Sequence, residues 1–205
     1  MFMSTLDNRR HLMEAALALF AQEGYHKTKV SDIVKQVGVA QGTFYWHFKN
    51  KEEIVLCILQ EGEQALLNVI RSGYRQTEGN VDDMVESSRR LMTDLFSFAQ
   101  ANPDYMRLLF KTGQDAEEKI CRHISHTLIA IEEAFERNIK RAQELEMLPK
   151  DSSSKRLAAM LVSLVLGTLE RWLFSESPHL DDIAAESLAV EIVSFEFFGL
   201  LGKTK

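Results

Sequence analysis

Apolar positions recur at helical spacing along almost the whole chain. Leu12, Ala15, Ala16, Leu19 and Phe20 share one face of a helix predicted from about Asp7 to Gln22, which Gly24 ends and Tyr25 folds back upon. Thr28 reads as an N-cap, with Ser31 and Asp32 in the first turn of a short helix that carries Ile33, Val34 and Val37. Gly38 stops that helix, and Val39 and Ala40 lead into a third, Gln41 to Phe48. Asn50 followed by Glu53 is a capping pair that launches a long helix to about Ser72. Five further helices are predicted at about Val81–Ala101, Asp104–Lys111, Asp115–Met147, Ser153–Ser175 and Asp181–Leu201. Gly79-Asn80, Asn102-Pro103, Gly113, Pro149 with the Ser152–Ser154 run, and Pro178 mark the breaks. No stretch sustains the period-two alternation of a sheet, so the expected class is all-α, with about nine helices.

The two short helices, joined by a tight turn containing Gly38, have the form of a helix-turn-helix. Ile33, Val37, Val39, Phe44 and Phe48 are expected to pack this unit on the first helix, leaving the rest of the third helix facing outward. Composition agrees with a helical, folded chain: 205 residues, 45% hydrophobic, with 3 prolines and 10 glycines.

Charge sharpens the picture. The net charge is -6, but residues 1–51 carry seven Lys or Arg against four acids, or +3, and the remainder carries -9. A basic head on an acidic body suits a phosphate-bearing partner approached from one end. Cys57 and Cys121 lie far apart without a partner motif, which argues against a disulfide scaffold and a cysteine zinc site. His123 and His126 share a helical face, yet no carboxylate stands at ligand spacing, so neither a metal nor another cofactor is expected. Residues 1–10 lack a signal-peptide pattern, and the expected location is the cytoplasm. The apolar run Leu157–Phe174 is interrupted by Ser163, Thr168, Glu170 and Arg171, so a buried helix is a better reading than a membrane span. A nucleophile elbow, phosphate loop, zinc motif and dinucleotide fingerprint are all missing, which disfavours an enzyme.

The segment Gly24–Glu53, GYHKTKVSDIVKQVGVAQGTFYWHFKNKEE, resembles the DNA-binding segment of the TetR/AcrR family of bacterial regulators. Spacing, glycines and the Tyr-x-His-Phe element carry the resemblance; the rest of the chain is similar to the family in helix number, length and order. The resemblance implies an N-terminal helix-turn-helix DNA-binding domain at 1–51 and a C-terminal helical ligand-binding and dimerisation domain at 52–205. It also implies that the Gln41–Phe48 helix enters the major groove of a double-stranded operator. Expected DNA contacts are Thr28, through its hydroxyl and neighbouring amides, Gln41 and Thr43 at base edges or phosphate, and Gly42, for close approach. Tyr45 and His47 are expected on phosphate, Trp46 on sugar or a thymine methyl, and Lys51 on phosphate. The family often has Ser or Thr where Ala40 stands and a basic residue where Gln41 stands, which puts the usual contact at Gln41 in doubt.

The helix from Ser153 is apolar nearly all round, so one side needs a partner. Leu161, Leu164, Val165 and Gly167, with Leu188, Ile192 and Phe195 of the last helix, are expected to form a two-fold homodimer interface as a four-helix bundle. Candidate effector contacts are Met92, Phe96, Met106, Phe110, Ile124, Thr127, Leu128, Ile131 and Trp172, which are equally the stuff of any helical core. A pocket so lined suits an apolar or aromatic small molecule, cations included. The expected function is a ligand-released repressor; the alternative is a DNA-binding regulator whose body is a protein-interaction module without a small ligand.

Overall fold

The structure, a computed structural model, describes residues 5–73, 79–112, 116–175, 180 and 183–201. Among these the secondary structure is helical: α1 Thr5–Glu23, α2 Val30–Val37, α3 Gln41–His47, α4 Lys51–Ser72, α5 Val81–Ala101, α6 Pro103–Lys111, α7 Glu118–Glu144, α8 Ser154–Phe174 and α9 Ala185–Phe198, followed by the 3-10 turn Gly199–Leu201. The all-α expectation and its order of helices hold. The predicted breaks at Gly113 and Pro178, and the predicted helix starts at Asp115 and Asp181, lie outside the described residues.

Contacts divide the chain into two compact units, Met1–Gln64 with Pro103–His126, and Ala65–Asn102 with Thr127–Lys205. In the first unit α1 is the hub, packed by α2, α3 and α6. Its Leu12, Ala16 and Phe20 are buried, as are Ile33 and Val34 of α2 and Phe44 and Phe48 on either side of the α3 end. The inward residue of α2 is therefore Val34, beside Ile33; Val37 and Val39 are only half-buried. Burying a side chain of this size stabilises a fold by roughly 1.5–3 kcal/mol.

Local chemistry explains the boundaries. Gly38 adopts φ +76°, a left-handed conformation that disfavours a Cβ, and its amide donates to the Val34 carbonyl at 2.9 Å. The Glu53 amide donates to Asn50 Oδ1 at 2.8 Å, while the Lys49 amide donates to Glu53 Oε2 at 2.5 Å, so the capping pair predicted at α4 is formed. At α5 the pair is fully reciprocal: the Asp83 amide donates to Asn80 Oδ1 and the Asn80 amide to Asp83 Oδ2, both at 2.9 Å.

In the second unit α5 lies along α9, and α8 touches both. Only one face of α8 is buried in this unit, through Ala158, Val162, Val165 and Leu169. Met160, on another face, is 63% exposed. By length and composition α8 alone among the described helices is apolar enough to cross a membrane.

Candidate nucleic-acid interface

Helix α3 is short because its two ends are fixed by neighbours rather than by its own caps. Ala40 has no side-chain acceptor for the first amides, and the helix gives way to extended backbone at Phe48. What orients the helix is the buried pair Phe44 and Phe48, whose rings lie 5.7 Å apart. With Phe44 inward, helical geometry turns its neighbours out: Tyr45 is 53% and Trp46 69% exposed. Gln41 and Gly42 are exposed as well, and Thr43 is half-buried. A Cβ built at Gly42 would meet nothing within 4 Å. The protein's own packing thus gives no reason for a glycine there; a backbone approaching from outside does.

His47 is half-buried, and its ring stands edge-on to Trp46 at 4.5 Å between centroids. Its Nε2 is buried and has no hydrogen-bond partner. Burial lowers the ring's pKa, and the Arg9 charge adds to this, so the imidazole is neutral at pH 7. Arg9 itself lies 5.4 Å above the Phe48 ring and pairs with Glu61 at 3.2 Å.

Two expected phosphate contacts are corrected. Thr28 is 1% exposed and is not the N-cap of α2; that position is Lys29, whose amide donates to Asp32 Oδ2 at 2.9 Å. The Thr28 hydroxyl donates inward to the Gly24 carbonyl at 3.0 Å, and its amide donates to the same oxygen at 3.3 Å. With both donors engaged, Thr28 pins the corner between α1 and α2. Lys51 also turns inward. Its Nζ donates to the carbonyls of Tyr25 at 2.7 Å and Thr28 at 3.0 Å, and burial holds its pKa below the usual lysine value. Phosphate recognition demands free donors. Thr28 has spent both of its donors, and two of the three Lys51 N–H groups are taken.

The expected effector residues do not gather around one opening. Met92, Phe96, Met106, Ile124, Thr127 and Ile131 are buried, Phe110 and Trp172 are half-buried, and Leu128 is exposed. Met106, Phe110 and Ile124 belong to the first unit, and the other six to the second. Within the second unit Phe96 and Trp172 stack at 5.5 Å, and Trp172 Nε1 donates to the Ile183 carbonyl at 3.0 Å, a packing role for both. The cavity of this unit is lined instead by residues such as Met84, Ser88, Phe135, Asn138 and Glu196, which the periodicity of apolar residues did not single out. A glutamate between two phenylalanines, Phe195 and Phe197, was the available signal.

Of the expected dimer contacts, Val165, Leu188 and Ile192 are buried inside their own unit, so they do not face a partner. Leu164 and Gly167 are half-buried, Leu161 lines the cavity, and Phe195 is 45% exposed. A Cβ at Gly167 would meet nothing within 4 Å. Met160 and Val190, which the sequence reading left out of the interface, are exposed alongside them.

Residues 12–58 match the family model described as bacterial regulatory proteins, tetR family. The chain is 25% identical to the HTH-type transcriptional regulator AcrR of Shigella flexneri, over 94% of this chain and 89% of that protein. Its fold is similar to that of the fatty acid degradation regulator FadR from Bacillus halodurans, with a TM-score of 0.80, 19% identity and coverage of 96% and 97%. It is also similar to SmeT, the repressor of the Stenotrophomonas maltophilia multidrug efflux pump SmeDEF. In complex with triclosan that protein superposes with a TM-score of 0.75 at 23% identity, covering 91% of this chain and 89% of SmeT. The matched head makes residues 12–58 similar to bacterial regulatory proteins of the tetR family, and the helical fold is similar to that of the regulators named above.

Proposed function

We propose that the protein is a cytoplasmic, homodimeric repressor that leaves a palindromic operator when its C-terminal domain, residues 52–205, binds a small apolar or aromatic effector. The observation that carries this reading is the outer face of α3. Gln41, Gly42, Tyr45 and Trp46 are exposed on a short helix that Phe44 and Phe48 anchor, and no internal packing calls for them. Such a blade fits a major groove, with aromatic hydroxyl and indole groups at the backbone and Gln41 and Thr43 toward base edges. The exposed apolar side chains of α8 and α9, Met160, Val190 and Phe195, supply a self-complementary surface for a two-fold partner. SmeT, a repressor by its description, has been crystallised with triclosan, an apolar aromatic molecule, and this supports an effector of that class here.

The test is selection of duplexes from a random pool by the purified protein. An inverted repeat with half-site centres separated by about one helical turn, roughly 34 Å, or a multiple of it, is the expected result. Enrichment of single, unpaired half-sites contradicts the dimer, and no enrichment contradicts operator recognition.

A further inference from the structure

One cavity in the second unit joins an apolar wall to a polar patch that packing does not need. It is a partly open cleft with about 90 Å³ of space. Leu91, Phe135 and Phe197 are among its apolar lining, and Ser88, Asn138 and Glu196 supply polar atoms. Glu196 Oε2 accepts from Ser88 Oγ at 2.7 Å, and Asn138 Nδ2 is buried without a hydrogen-bond partner. Glu196 is the only ionisable residue among the described lining, so no cation of that lining answers its charge. Burial pushes its pKa up to about 7, against the smaller opposing effect of the Ser88 bond. A half-buried carboxyl with no cation beside it and an unsatisfied amide each destabilise a core. Apolar residues of similar size would fill the same space without that cost.

Resting on the reading that the protein answers to a small molecule, we infer that this cavity is the effector's head-group site and that it takes a small organic ammonium. The ammonium N–H groups donate to Glu196, and the carbon skeleton lies against Leu91, Phe135 and Phe197. A cation is favoured over a neutral donor because it meets the carboxylate charge at close range, and charge-assisted bonds are about twice as strong as neutral ones. Size sets the skeleton. A cavity of about 150 Å³ admits benzene, so this smaller one suits a chain of about four carbons. An oxygen on a natural effector, or a water beside it, would satisfy Asn138.

The experiment titrates n-butylammonium, n-butanol and butyrate into the purified protein, with binding read by calorimetry. Saturable binding of butylammonium is expected, at least tenfold tighter than butanol, with butyrate excluded. Because the carboxylate form binds the cation, affinity should rise about tenfold from pH 6 to pH 8. Glu196→Gln should weaken butylammonium at least tenfold and remove that rise; if it does not fold, the pH series on the wild type and Ser88→Ala carry the test. Equal binding of butanol, or butylammonium binding unchanged by pH and by Glu196→Gln, overturns the proposal, as does no saturable binding. Operator affinity is measured in parallel. Butylammonium that binds through Glu196 without altering operator affinity upholds the site and contradicts ligand-released repression; an operator response to other molecules, with no butylammonium binding, does the reverse.

Discussion

Lys51 Nζ donates to the Tyr25 carbonyl at 2.7 Å and lies 4.1 Å from the centre of the Tyr25 ring. The first residue of α4 is thereby tied to the corner between α1 and α2, with a second bond to the Thr28 carbonyl at 3.0 Å. On the proposed reading, the lysine acts on DNA recognition through the shape of the head. Replacing it by methionine is expected to destabilise the protein by about 1–3 kcal/mol, since two buried carbonyls lose a charged donor. Operator affinity should fall with it, while the slope of log K against log salt stays unchanged. A direct phosphate contact would instead lower that slope by about one. Thermal unfolding and a salt series separate the two.

Gly42 offers a cleaner separation of fold from function. Alanine in a helix is favoured over glycine by about 1 kcal/mol, and the added methyl would meet nothing in the protein. Gly42→Ala is therefore expected to keep or slightly raise the melting temperature. Operator affinity should drop at least tenfold, because the methyl stands where the DNA backbone comes close. An unchanged affinity in an anisotropy titration would remove Gly42 from the interface.

His47 gives the interface a pH dependence of known sign. Its pKa lies below the ordinary histidine value, so free protein at pH 7 carries a neutral ring, and a nearby phosphate would favour the protonated form. Binding should take up a proton and strengthen as pH falls from 8 to 6. Stability runs the other way: the depressed pKa favours the folded head above about pH 6.5, and that contribution is lost as pH drops through the lower, folded value. His47→Ala should flatten the pH profile of operator affinity relative to wild type.

Dimerisation can be tested where the surface is open. Met160 and Phe195 are exposed and apolar, so Met160→Glu with Phe195→Glu should leave each chain folded and place charges in the shared face. Sedimentation equilibrium is expected to show dimers for wild type and monomers for the variant. A variant that stays dimeric would move the interface elsewhere.

The helices were legible in the sequence because their signals are local. Gly38 and the Asn50–Glu53 pair act within a few residues, and each forms as read. Thr28 was misread because a threonine hydroxyl serves equally as a cap or as a donor to a preceding carbonyl. Here the hydroxyl meets the Gly24 carbonyl, four residues back, and the Leu19 carbonyl, nine residues back. The role of α6 against α1 is long-range, and the periodicity of either helix is silent about it. The outward side of α3 could be named because Phe44 fixes which side is in. The lining of the second unit's cavity could not, since periodicity identifies the inward face of a helix but not the place where inward side chains fail to meet. In the second unit that place lies beside Glu196.

The most direct measurement is the affinity of a selected operator duplex for wild-type protein and for Tyr45→Ala with Trp46→Ala, at one salt concentration, beside their melting curves. Both side chains are more than half exposed, so the account predicts melting temperatures alike and an affinity at least tenfold weaker in the variant. Equal affinity with an intact fold would mean that α3 is not the element that reads DNA.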